Sequence, residues 1–298
     1  LTEWISSLSH IVFTSSYFKY SENNLLSPAP DKEAKEWYEF FGKILALALR
    51  FKKPIGVNFS PSVLKILVGE PMSVADLKTV DPEYYSSLMN FVNDKNLVDS
   101  GDFFFVASNT KGQSVDLVPN GSRKVVTWEN RHLYISKLAK YKLIDCMLES
   151  LLAMKKGFNS MWREEAVKQN LSSAHFGSLL LGETRISMTQ FSQNVYYDDN
   201  SPEFVTLMAR FWRVVKTFTQ EERKKLIKFI IGTETLPLGG FAGLPRRITM
   251  KPSHTSSNHL PTASTCGLVF KLPPYKDEFV MKEKILQAIN GVNTFEFV

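Results

Sequence analysis

A cysteine stands near the end of this chain in the run Leu260-Pro261-Thr262-Ala263-Ser264-Thr265-Cys266, and Lys271-Leu272-Pro273-Pro274-Tyr275 follows closely. The 298 residues hold one other cysteine, Cys146. A thiol in a short polar loop ahead of an apolar strand can be held accessible as a nucleophile, because the thiolate must reach its electrophile. The same residue also reads as a small buried hydrophobe, the ordinary fate of a free cysteine. Its immediate surroundings leave both readings open. His254 and His259 precede it in the same loop, His10, His132 and His175 lie far off in sequence, and no local cysteine-protease signature is present. A zinc site on Cys266, His254 and His259 would lack a fourth ligand. Gly239-Gly240-Phe241-Ala242-Gly243 has neither GxGxxG spacing nor a following Lys-Ser/Thr. It reads as a bend where backbone segments approach closely, not as a phosphate loop.

The elements that must position this thiol fall into two regions. Residues from about Lys32 to Phe51 place Trp37, Phe40, Phe41, Ile44, Leu45, Ala48 and Leu49 at helical spacing. Ser60-Pro61 and Asp81-Pro82 each open a further helix, with a capping side chain followed by proline in the first turn. The period then changes. Phe103–Ala107 and Val115–Val118 read as short strands joined through Asn109-Thr110-Lys111-Gly112. One long helix is expected from about Glu129 to Phe158, with Tyr141, Ile144, Leu148 and Leu151 on one stripe and Cys146 inside it as a structural residue. The polar stretch ending Asp198-Asp199-Asn200-Ser201-Pro202 is the best linker. Beyond it come a stripe of Phe204, Met208, Phe211 and Val215, then a helix capped by Thr219 and Glu222 and ended at Gly232. An amphipathic helix through Met281, Ile285 and Ile289 closes the chain.

Composition narrows the class. An apolar share of 44% against 22% charged residues is that of a globular chain, not a disordered one. The candidate apolar run Ile44–Leu49 is flanked by Lys43 and Arg50, so no membrane span is expected. The net charge of +6 is spread over small groups such as Lys52-Lys53, Lys155-Lys156 and Arg223-Lys224-Lys225. These alternate with acids on helix faces, which argues for solvated surfaces over a nucleic-acid stripe. Two distant cysteines make neither a disulfide framework nor a CxxC metal pair, and free thiols suit the cytosol or the nucleus. The start at Leu1-Thr2-Glu3-Trp4 is not a signal peptide, and a fragment or processed chain is expected.

Several ordered segments resemble one family. The LPTASTC run with its apolar strand and Leu272-Pro273-Pro274-Tyr275 is similar to the active-site segment of the HECT ubiquitin-protein ligases. So are Trp37–Leu45, Asp76–Leu88, Val115–Ser122 with Val126–Asn130, and Phe229–Leu244, which contains Leu236-Pro237-Leu238-Gly239-Gly240-Phe241-Ala242. The resemblance implies an α+β, bilobal fold. Its mainly helical N-terminal lobe would span 1–194, with a small β-containing subdomain at 81–129 that docks a ubiquitin-conjugating enzyme. After a hinge near Gln193 to Asp199, a smaller α/β catalytic lobe would span 195–298. Phe91, Phe103, Phe104 and Phe105 are then candidates for the conjugating-enzyme surface, or equally for the subdomain's own core.

The resemblance further implies that Cys266 is the nucleophile, carrying ubiquitin as a thioester before its transfer to a substrate lysine. Thr265, and less strongly Ser264, would support the developing oxyanion. Phe295, four residues from the end, would dock the tail on the N-terminal lobe. No metal, ATP or other cofactor is implied at this step. Two positions depart from the commoner pattern. Many members have histidine where this chain has Ser264, and an aromatic residue where it has Gly267. Those departures leave an alternative expectation, a catalytically weakened module that binds conjugating enzyme or ubiquitin. The family's first several dozen residues also have no counterpart here.

Overall fold

A computed structural model of the chain describes residues 2–29 and 34–291. Its contacts divide into two units, one built from residues 9–51 and 57–177, the other mainly from residue 178 onward with the short stretch Lys52–Gly56.

The chain begins with helix α1 (Thr2–Phe13), a two-stranded ribbon of β1 (Phe18–Tyr20) and β2 (Leu26–Pro28), and helix α2 (Lys35–Arg50). Phe13, Phe18, Phe41 and Phe59 meet edge to face or tilted, 5.1 to 6.3 Å apart. Tyr38 is fully buried beside them. Its hydroxyl donates to the Tyr17 carbonyl at 2.6 Å, which satisfies the one polar atom that burial would otherwise strand. Helices α3 (Pro61–Val68), α4 (Ala75–Val80), α5 (Pro82–Asn93) and α6 (Lys95–Val98) follow. Pro61 and Pro82 sit in the first turns of α3 and α5, and the Asp81 carboxylate caps α5 by accepting from the Tyr84 N–H at 2.9 Å, but the expected side-chain cap at Ser60 is not made, its hydroxyl being taken by Ser27 Oγ at 2.7 Å.

β3 (Val106–Ser108) and β4 (Ser114–Asp116) form an antiparallel hairpin with Ala107 opposite Val115. The single helix expected from Glu129 to Phe158 is broken in two: α7 (Arg131–Leu143) and α8 (Leu148–Asn159), with a 3-10 turn at Asp145–Met147 between them. The two halves serve different cores. Tyr134, Ile135, Leu138 and Leu143 face a cluster with Leu88, Phe91, Val98 and Phe105, whereas Met154 and Phe158 lie against α2. A straight helix could not present both stripes, so the chain leaves helical geometry at Ile144 (φ −131°, ψ −61°). Cys146 lies on that turn, half-buried, its Sγ donating to the Lys142 carbonyl at 3.3 Å.

Helices α2 and α8 touch backbone to backbone. A Cβ on Gly42 would lie 1.9 Å from the Met154 carbonyl oxygen, and one on Gly157 would lie 1.8 Å from that of Glu39. Only glycine at both places allows this approach.

Asp76 adds a titratable tie to the same unit. Its carboxylate accepts from the Ser73 N–H at 2.7 Å and pairs with Lys65 at 2.8 Å, both side chains largely covered. Burial pushes its pKa up, but Lys65 and Ser73 outweigh it, and the net shift is downward from 3.8. A folded value below the unfolded one contributes stability at neutral pH that is lost as pH falls through the folded value. Asp76→Asn is therefore expected to destabilise by roughly 1 kcal/mol at neutral pH. The gap from wild type should narrow as pH falls below 3.8 and close once the folded carboxyl is protonated, read by urea unfolding across an acid series. A gap independent of pH would remove the carboxylate's charge from the account.

The second unit completes the chain with α9 (Glu164–Asn170) lying ahead of it in the first unit and α10 (Ser173–Leu181) leading into it. It then contains α11 (Met188–Gln193), β5 (Val195–Tyr197), α12 (Pro202–Lys216), α13 (Gln220–Ile231), β6 (Ile248–Pro252), β7 (Thr262–Ser264), β8 (Val269–Leu272) and α14 (Glu278–Gly291). The sheet order is β5-β6-β8-β7, parallel except for the β7–β8 pair. Ser201 caps α12, and Thr219 with Glu222 forms the capping box of α13, which Gly232 ends at φ 82°. Phe211, Ile227, Ile230, Phe270, Met281 and Ile285 fill the core between sheet and helices, each essentially without exposure.

The stretch read as a polar linker is not a free connection. Val195 and Tyr197 pair with Ile248 and Met250, and Asp198 bridges to Lys251 at 2.9 Å. A strand of three residues followed by Asp-Asp-Asn carries more turn signal than strand signal, so its pattern hid it. The expected 194/195 boundary thus falls inside this unit, between α11 and β5. The Gly239-Gly240 segment is the close bend expected. Both glycines have positive φ, and a Cβ on Gly243 would lie 2.3 Å from the Leu238 carbonyl oxygen.

Candidate functional site

Cys266 sits on the tip of a β-hairpin. Ser264 on β7 faces Val269 on β8, and residues 265–268 turn between them. The Leu268 N–H donates to the Thr265 carbonyl at 3.3 Å, closing a β-turn with Cys266 and Gly267 at its centre. Cys266 is exposed, so the reading of it as a buried hydrophobe fails. Thr265 is half-buried and Ser264 exposed, and the hairpin brings all three predicted residues to one edge.

The turn is held from behind by a strained residue. Leu268 has φ 48°, in the left-handed region that a branched side chain rarely adopts. Such a conformation costs on the order of 1–3 kcal/mol and persists only where its surroundings fix it. Here the side chain is buried in the core, and the Leu268 carbonyl accepts from the Thr249 N–H on β6 at 2.8 Å. At the tip, Arg246 Nη2 donates to the carbonyl of Cys266 itself at 2.6 Å. Sequence reasoning missed Arg246. It lies twenty residues upstream of the thiol, and only the register of β6 on β8, with Thr249 opposite Val269, carries it there.

The two departures from the commoner pattern meet across this turn. A Cβ on Gly267 would stand 3.0 Å from Ser264 Oγ and 3.3 Å from Val269 Cγ2. A large residue at 267 therefore requires Ser264 to turn aside. The nearby histidine His259 is occupied locally, its Nδ1 2.9 Å from Ser256 Oγ. Its carbonyl accepts from the buried Tyr275 hydroxyl, whose pKa burial pushes up to about 12. Arg210 donates to the Tyr275 carbonyl at 2.7 Å, tying down the segment that leaves β8. A cavity of about 600 Å³ lies there, lined by Asp199, Leu207, Arg210, His254 and Tyr275. It opens beyond the carboxyl ends of β5, β6 and β8, whereas Cys266 precedes β8 at its amino end.

The aromatic candidates divide. Phe105 is fully buried with its ring 5.4 Å from Tyr134, and Phe91 is buried against Phe103 at 4.7 Å. Both are core residues, and neither can offer its ring to a partner. Phe103 and Phe104 are half-buried. Phe104 bridges Val125, and Val125 and Leu97 are the large apolar side chains left exposed within 81–129, with Leu133 exposed just beyond it on α7. Period-two alternation held the signal, since Val126 points inward and Val125 therefore outward. Phe295 lies outside the described residues.

The site is thus an exposed thiol on a pinned turn, at the edge of the sheet of the second unit. The chain belongs to the HECT-domain (ubiquitin-transferase) family, which matches residues 6–298. It is similar to a TOM1-like E3 ubiquitin-protein ligase of Neurospora crassa, 30% identical over 99% of this chain, and to E3 ubiquitin-protein ligase ptr1 of Schizosaccharomyces pombe, 28% identical over 99%. E3 ubiquitin-protein ligase HACE1 of Danio rerio is 28% identical over 97% of the chain. The chain spans 8%, 10% and 33% of these relatives respectively.

Proposed function

We propose that this chain is the catalytic region of a ubiquitin-protein ligase that receives ubiquitin on Cys266 and passes it to a lysine of a protein substrate. The observation that carries this reading is the exposed Cys266 on its clamped hairpin, in a chain that the family matches over nearly its whole length. The Cys266 thiolate attacks the carbonyl carbon of the thioester that joins ubiquitin to a conjugating enzyme. The tetrahedral adduct collapses, the conjugating enzyme's thiolate leaves, and ubiquitin is bonded to Cys266. A substrate lysine amine then attacks the new thioester, loses a proton, and expels the Cys266 thiolate. Exchange of one thiol for another is nearly balanced in energy, so positioning supplies most of the acceleration. Thr265, on the same turn, and Ser264, at the end of β7, precede the thiol and are the donors offered to the oxyanion.

The conjugating enzyme docks on the subdomain at 81–129 through Phe103 and Phe104 with the exposed Leu97 and Val125, and with Leu133 on the adjoining α7. A catalytic lobe from 195 onward presents Cys266, and Phe295 orders the transfer step. Free thiols suit residence in the cytosol or nucleus. Incubation with charged conjugating enzyme is expected to yield a reductant-sensitive ubiquitin adduct that discharges to lysine. An adduct that never discharges would instead mark a binding module. Deleting residues 295–298 is expected to slow discharge at least about tenfold, the scale of a lost docking contact, with little change in adduct formation. Equal losses in both steps would remove the tail from the transfer geometry.

A further inference from the structure

The hydrogen bond from Arg246 to Cys266 falls on the central peptide unit of the turn, which takes no part in the turn's own Leu268 to Thr265 bond. In a β-turn the central peptide can flip as a unit, exchanging a type I for a type II form, and the type II form requires positive φ at the third residue. That residue is Gly267, which accepts positive φ without steric cost. In the structure Gly267 stands outside the left-handed region, and the flipping carbonyl is that of Cys266, the atom Arg246 holds at 2.6 Å. The other side of the turn needs no such restraint. Leu268 is fixed by its buried side chain and by its bond to Thr249.

We propose that Arg246 is a positioning residue that locks the Cys266–Gly267 peptide in one orientation, and that this lock offsets the freedom introduced by glycine at 267. The proposal rests on Cys266 being the nucleophile. Rotation of that peptide changes ψ of Cys266 and φ of Gly267, so it re-aims the backbone from which the thiol projects. Arg246 is exposed and sits two residues before β6, so it reaches the tip without entering the core.

The test is a double-mutant cycle on the whole chain. Arg246→Ala is expected to lower the maximal single-turnover rate of adduct formation about five- to tenfold, the scale of one solvent-exposed hydrogen bond. The half-saturating concentration of charged conjugating enzyme should not change, because docking is elsewhere. In a Gly267→Ala background the same Arg246→Ala change should cost under about twofold, because alanine disfavours the flipped form unaided. The Cβ it adds meets mainly Ser264 Oγ, the movable end of an exposed side chain. The amide resonance of residue 267 supplies a readout independent of activity: Arg246→Ala should shift or broaden it, and the double variant should restore a single sharp signal. Equal rate losses in both backgrounds, an unperturbed resonance in Arg246→Ala, or a loss confined to half-saturation would each overturn the lock. A wild-type chain that forms no adduct on Cys266 would refute the ligase reading instead, and the resonance measurement would still decide the role of Arg246.

Discussion

Cys266→Ala is expected to abolish the reductant-sensitive ubiquitin adduct, with a loss on the order of ten-thousandfold or more, the range seen when a covalent nucleophile is removed. No other group at the turn can take over, since Ser264 and Thr265 carry hydroxyls that are un-ionised and far weaker nucleophiles at neutral pH. Because Cys266 is exposed and fills no core space, its removal should change unfolding free energy by less than about 0.5 kcal/mol. Activity and stability are thus separable at this residue. Cys146→Ala supplies the contrast: its thiol is half-buried on the turn between α7 and α8, and the adduct should persist without it. Non-reducing electrophoresis of single-turnover reactions reads both variants. An adduct that survives Cys266→Ala would show that the nucleophile is elsewhere.

Gly42→Ala and Gly157→Ala are each expected to destabilise the first unit by roughly 3 kcal/mol or more, at or beyond the usual cost of overpacking. The added Cβ would meet backbone atoms at 1.9 and 1.8 Å, and ordinary contact begins near 3.4 Å. Backbone cannot rotate aside as a side chain can, so α2 and α8 must move apart by over 1 Å. That opens the seam around Phe41, Met154 and Phe158, which bury the unit's apolar surface. Against a typical total of about 5–15 kcal/mol, either substitution consumes a large share. The pair should not be additive, because helices already parted by one methyl group accommodate the second more cheaply. Urea unfolding of both single variants and the double variant tests this. Single-variant losses below about 1 kcal/mol would mean that the helices slide apart freely.

How much of this was legible beforehand depended on whether a feature was local. Proline in the first turns of α3 and α5, the capping box at Thr219 and Glu222, and the bend at Gly239-Gly240 are set by neighbours in sequence, and each occurs where its residues stand. The break at Ile144 was hidden because the apolar period continues unchanged across it, while the two halves face different cores. Strand β5 was hidden by its own brevity and by the acidic turn residues after it. At the site, Cys266 and its two predecessors were found as a motif. Arg246 and the contact of Ser264 with Gly267 depend on strand register and on the shape of a turn, which no spacing in the chain encodes. Phe91 and Phe105 show the converse. Aromatic residues at strand and helix positions advertise burial and binding alike, and only packing tells them apart.

The sheet's one antiparallel pair has a further consequence. Reactive groups of parallel α/β sheets usually lie in the crevice beyond the carboxyl ends of the strands, sheltered by the loops there. In this protein that end holds the cavity, and the hairpin of β7 and β8 carries the thiol to the other end of β8, onto an exposed turn. A group presented on such a turn has only half an active site. On the proposed ligase reading, the hairpin alone neither shields a thioester at Cys266 from water nor aims an amine at it, so both tasks fall to surfaces beyond the hairpin. On that same reading, the charged state is expected to be most open to hydrolysis in the interval before an acceptor covers it.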